Sequence, residues 1–94
     1  RTEIFERSLA SCAAVITTDL KEAIAFTNKY APEHLEVICE NPEAAAVECV
    51  NAGAVFIGAY SPVAAGDYAS GGNHVLPTGG AARFSSPLSV RDFL

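Results

Sequence analysis

The stretch "HLEVICENPEAAAVECVNAGAVFIG" (His34 to Gly58) decides the fold class. Its first part, His34 to Cys39, reads as a strand. Its middle reads as a helix, with Asn41 as cap, Pro42 in the favoured first helical position and Gly53 at the stop. "AVFIG" (Ala54 to Gly58) is an unbroken apolar run of the kind a buried strand shows. Strand, helix and strand in succession predict an α/β layer structure.

The alternation continues on both sides. Upstream, Asp19 is a plausible N-cap with Glu22 three residues on, and Leu20, Ala23, Ile24, Thr27 and Tyr30 share one helical face. Pro32 disfavours helix at Ala31, so this helix is expected to stop near Tyr30. "AAVIT" (Ala13 to Thr17) is a further β-prone run, and Thr2 to Cys12 carries Ile4, Phe5, Leu9 and Cys12 near one face of a helix. Downstream, "SPVAAGDYA" reads as a short helix opened by Ser61 and Pro62. The expected core is Val15, Ile24, Leu35, Val37, Val47, Val55 and Ile57. Residues 1–69 form the expected compact part. From Ser70 to Leu94, ten of twenty-five residues are Gly, Ser or Pro, which predicts a loop-like and mobile tail.

Length and charge exclude whole classes. Ninety-four residues, half of them hydrophobic and 18% charged, make one small globular domain rather than a disordered segment. No run approaches the length of a membrane span, and the first fifteen residues lack the zones of a signal peptide, so the expected compartment is the cytoplasm. Residues 1–50 hold nine acids and four bases and residues 51–94 two of each, which leaves no basic patch for nucleic acid. Cys12, Cys39 and Cys49 are odd in number and widely spaced, so they read as small buried hydrophobes rather than a disulfide framework or a zinc site. The chain has no initiating Met and "SVRDFL" ends without a stop signal, so a piece of something longer is expected.

Two constellations carry possible chemistry. If Pro32 ends a helix and Leu35 begins a strand, Glu33 and His34 occupy the turn between them, where neighbours need not be splayed to opposite faces. Such a pair can work as a base and its partner, because imidazole exchanges protons near neutral pH and a carboxylate can orient water. The bland alternative, a solvated pair at an exposed turn, is favoured on spacing alone. In "GDYASGGNHVLPTGG", Asp67 and His74 stand seven residues apart on a glycine-rich loop and are acceptable metal ligands. Two ligands fall short of a site that needs four or more, so by itself this stretch reads as an Asp near a helix end and a loop His. "PTGGAARFSS" could cradle an anion with its amides and Arg83, on a weak pattern.

Taken in order and spacing, "YAPEHLE", "NAGAVFIGAYSP", "GDYASGGNHVLPTGGAARFSSPLSV" and "DFL" resemble the C-terminal half of the histidinol dehydrogenase family, over about Ala13 to Leu94. The resemblance implies a zinc enzyme that oxidises L-histidinol to L-histidine through the aldehyde, with two hydride transfers to NAD. It implies that Glu33 activates the water that attacks the aldehyde-level intermediate, that His34 is the general base and binds substrate, and that Asp67 ligates zinc and contacts substrate. His74 is implied to lie beside the substrate. It further implies a homodimeric parent, and a three-layer Rossmann-like domain similar to the aldehyde dehydrogenase layout.

The resemblance also places parts elsewhere. The other zinc ligands belong to a Gln-x-x-His element upstream and a His downstream, next to a substrate-binding Glu, and the dinucleotide contacts lie upstream as well. Gly72 stands where the pattern has Pro or Thr, which loosens the loop before His74. Two other readings remain open at the level of sequence: a non-catalytic α/β interaction or regulatory module, and a relative that oxidises another alcohol. Geometry poses a problem too. In a simple parallel sheet Glu33 and His34 enter one strand while Asp67 follows the exit of the other, so the two would lie at opposite ends. Either the strands run antiparallel or the chain bends back.

Overall fold

The computed structural model describes residues 1–94 as a small α/β unit: α1 (Thr2–Ala10), α2 (Leu20–Tyr30), β1 (His34–Val37), α3 (Pro42–Glu48), β2 (Ala54–Ile57) and α4 (Val63–Tyr68). Two 3-10 turns follow, Ala81–Arg83 and Val90–Phe93. β1 and β2 pair in parallel, with His34 opposite Ala54 and Val37 opposite Ile57. The ladder runs past both strand ends, because Gly53 N donates to Pro32 O and Gly58 N to Val37 O.

The helix starts follow from side-chain caps. Asp19 Oδ1 accepts from Glu22 N at 2.8 Å, while the Glu22 carboxylate accepts from the Thr18 amide and hydroxyl, both at 2.8 Å. The Thr18 amide, then its hydroxyl, hold the Glu22 carboxyl below its ordinary value. Asn41 caps α3 through Ala44 N, with Pro42 at its head. α4 differs from the expectation. Its cap is Pro62, with no side-chain bond, and Ser61 Oγ donates back to Ile57 O at 2.7 Å.

α3 ends at Glu48, well before Gly53, because a residue twenty positions upstream takes over its exit. Asn28 Nδ2 donates to Glu48 O at 2.8 Å and Asn28 Oδ1 accepts from Val50 N at 2.8 Å. Asn51 Nδ2 returns a bond to Asn28 O at 3.0 Å. α2 is closed by Ala31, whose φ of 55° lies in the left-handed region and which is 1% exposed.

Burial is thin. Only Ala31, Val37, Ala45 and Pro77 are buried. Of the expected core, Val37 is buried and Ile24 and Leu35 are half-buried, whereas Val15, Val47, Val55 and Ile57 are exposed, Val47 by 80%. The expected strand at Ala13–Thr17 is not formed, and Ile16 there is 95% exposed. A β-prone run becomes a strand only beside a partner, and a sheet face becomes core only under a second layer. Cys12 is exposed and Cys39 and Cys49 are half-buried, against the expectation of buried thiols. Burial pushes the Cys49 thiol up, with the Glu48 carboxylate and then Cys39 adding to the shift.

The accessible surface is 7350 Å², against about 5,200 Å² for a folded monomer of this mass. The radius of gyration is 14.6 Å, against about 12 Å for a compact domain of this length. The excess is surface that an α/β unit normally covers with further strands and helices. No helix is long and apolar enough to cross a membrane.

Candidate active site

The parallel pairing leaves the placement of Asp67 to be explained, and α4 explains it. Ser61 sits at the exit of β2, bonded to Ile57 and Gly58. From there the chain turns back along the sheet. Four strand residues cover about 13 Å and six helical residues about 9 Å, so α4 carries the chain most of the way back toward the level at which the strands began. Asp67, near its end, comes to lie beside His34.

Two close approaches make this possible. A Cβ on Gly66 would lie 2.6 Å from the Phe56 ring, so the missing side chain is what lets α4 settle on that ring. The Phe56 ring also stacks with the ring of His34, their centroids 6.0 Å apart at an angle of 27°. A Cβ on Gly53 would lie 2.6 Å from Glu33 O. Gly53 is therefore needed where β2 begins against the turn, with Ala54 N donating to Glu33 O at 2.9 Å. In the sequence Gly53 reads only as a helix stop, because the tertiary approach leaves no local signal.

The result is a recess of about 310 Å³ lined by Glu33, His34, Asp67, Tyr68 and His74. All four site residues expected from the sequence are in it, and Tyr68 joins them from the last residue of α4. The His34 imidazole spans the recess. Its Nδ1 is 3.8 Å from Glu33 Oε1 and its Nε2 is 3.6 Å from Asp67 Oδ1. Both distances exceed hydrogen-bond length. Nε2 is buried without a partner, and a buried polar atom in that state is expected to meet a group supplied from outside. The side chains of Glu33, His34 and Asp67 stay about a third exposed, which keeps them open to a ligand.

A neutral imidazole between two carboxylates can accept a proton and hold the resulting charge against either neighbour. The Asp67 carboxylate makes no hydrogen bond within the chain, so its lone pairs are available to a cation, and a carboxylate is a suitable zinc ligand. These residues do not form a group of three or more placed to hold a metal among themselves. They fit one corner of a zinc shell.

Arg83 is used differently from an anion cradle. Its guanidinium donates to Gly80 O at 3.1 Å and to Lys29 O at 3.2 Å, tying the Ala81–Arg83 turn to the end of α2.

Comparison with known proteins shows the family. The family model described as histidinol dehydrogenase matches residues 1–94. The histidinol dehydrogenase of Caldanaerobacter subterraneus subsp. tengcongensis is 58% identical over 95 aligned positions, covering 100% of this chain and 22% of that protein. That of Methanocaldococcus jannaschii is 54% identical over 94, with the same coverage. The crystal structure of histidinol dehydrogenase from Elizabethkingia anophelis superposes with a TM-score of 0.75 and 49% identity, over 79% of this chain and 17% of that one. The chain thus spans 22% of the length of these curated relatives, and it belongs to the histidinol dehydrogenase family.

Proposed function

We propose that the chain supplies the acid–base half of the active site of a cytoplasmic, homodimeric histidinol dehydrogenase. The observation that carries this reading is the His34 ring suspended between Glu33 and Asp67 in one recess with His74. In this reading His34 binds the alcohol of L-histidinol and takes up its proton. Glu33, on the same turn, activates the water that attacks at the aldehyde level, and His74 lies beside the substrate. Asp67 contacts the substrate and contributes one ligand to zinc. Zinc, when bound, polarises the alcohol oxygen. Two NAD molecules, bound in succession, would each accept one hydride.

Two properties of the unit support placing it inside a larger body. Both outer edges of its two-stranded sheet are unpaired, and its surface exceeds that of a compact domain. The unit is proposed as part of a three-layer Rossmann-like domain, with residues 1–69 as its compact portion and residues 70–94 as a loop-like tail ordered by the rest of the parent polypeptide. NAD contacts and the remaining zinc ligands come from that polypeptide.

The test is NADH formation from L-histidinol by the full-length parent. Two NADH per substrate and loss of activity on chelation are expected, and the isolated 94-residue chain is expected to be inactive. A full-length parent that leaves histidinol unoxidised, or an isolated chain that turns over in proportion to its concentration, contradicts the reading.

A further inference from the structure

His34, Asp67 and Tyr68 are carried by regular elements and Glu33 adjoins one, whereas His74 lies on a loop with no helix or strand next to it. It lies on a loop that Gly71, at φ 82°, and Gly72 enter without side chains. Its neighbour Asn73 compensates. Asn73 Oδ1 accepts from Val75 N at 2.8 Å, which closes a turn centred on His74. The amide end of the same side chain, Nδ2, donates to Leu88 O at 2.7 Å. Leu88 N then donates to Val75 O at 3.0 Å. Three hydrogen bonds therefore bracket His74, two of them from one side chain, and they join residues 73–75 to a segment fifteen positions away. A short amide that bonds its own backbone two residues on is a known way to fix a turn. Here the turn so fixed presents an imidazole.

We propose that Asn73 is a positioning residue for His74: it accepts from Val75 and donates to Leu88 so that the His74 ring is held in the recess despite the two preceding glycines. The proposal rests on the reading of the recess as a dehydrogenase site. It assigns the two ends of the amide different tasks. Asn73→Asp keeps the acceptor for Val75 N and loses the donor to Leu88 O, whereas Asn73→Ala loses both.

The test is a double-mutant cycle in the full-length parent, read as kcat/KM for L-histidinol, with bound zinc and melting temperature followed alongside. Asn73→Ala is expected to lower kcat/KM by about tenfold or more, because small misplacements of a binding group are costly. Asn73→Asp, close in shape and able to keep the turn, is expected to give a smaller loss and serves where the alanine variant does not fold. In a His74→Ala background either change is expected to have less than about a twofold further effect, since residues that act through one another do not add. Equal factors in both backgrounds overturn the positioning role and leave the site reading intact. A His74→Ala enzyme with unaltered kinetics overturns both this role and the placement of His74 beside the substrate.

Discussion

Around Glu33 and His34 the fixing contacts are main-chain. The turn is clamped between the end of α2, where Ala31 N donates to Thr27 O at 2.8 Å, and the start of β2, where Gly53 and Ala54 donate to Pro32 and Glu33. Around Asp67 and His74 side chains carry more of the load. Asp67 rides on a six-residue helix with no side-chain cap, and His74 on a loop bracketed by one amide. The first region is finished by this chain's own sheet. The second meets it in the recess but takes its place from packing against Phe56 and from polar side chains, so it is the more dependent on what the parent adds. Under the proposed reading, proton transfer sits on the first side and metal contact on the second.

Chemistry should break the comparison most sharply. In the full-length parent, Glu33→Gln or His34→Asn is expected to lower turnover by about a hundredfold or more with zinc retained, the usual size of a general-base contribution. Asp67→Ala is expected to lose zinc along with turnover. Metal content measured beside NADH formation checks both. A His34 variant that loses metal would move the turn into the zinc shell and erase the division.

Packing should sharpen it at a smaller scale. In Gly53→Ala the new methyl meets the main chain at Glu33 O, which cannot swing aside. A loss of about 1–3 kcal/mol is expected, the usual range for overpacking, together with reduced turnover. In Gly66→Ala the obstacle is the Phe56 ring, a side chain that can yield. Stability is expected to fall less, while zinc affinity falls because Asp67 is pushed from His34. Urea unfolding and zinc titration of the two variants separate these outcomes, and equal zinc loss in both would show that the regions are not independent.

The smallest effect is expected at Ala31. Glycine there relieves a left-handed alanine at about 1 kcal/mol but removes a buried methyl worth about 0.8 kcal/mol. Ala31→Gly should therefore change unfolding free energy by less than about 0.5 kcal/mol and leave turnover unchanged.

What the sequence made legible follows the same divide. The capped start of α2, its stop before Pro32, the Asn41–Pro42 head of α3 and the two strands are local signals, and they appear where local chemistry puts them. The early end of α3 did not show, because Asn28 acts from another helix. Val15, Val47, Val55 and Ile57 read as core in the sequence yet are exposed, because an apolar pattern marks a face that wants cover without saying what covers it. Glu33 and His34 could be placed on one turn from Pro32 alone, and the family resemblance supplied the significance of Asp67 and His74. That Asp67 would lie beside His34 was not legible. A parallel sheet argues against it, and the answer lies in α4 turning the chain back from the exit of β2.

The return of α4 also sets the electrostatic field of the recess. It brings the Asp67 carboxylate into the same recess as that of Glu33, with the His34 ring between them, and no Lys or Arg lines it. Such a recess draws in cations, whether a divalent metal or the ammonium of an amino alcohol. Under the proposed reaction the substrate is then converted in place from a cation to a carboxylate-bearing product, so the field that helps it in opposes its staying.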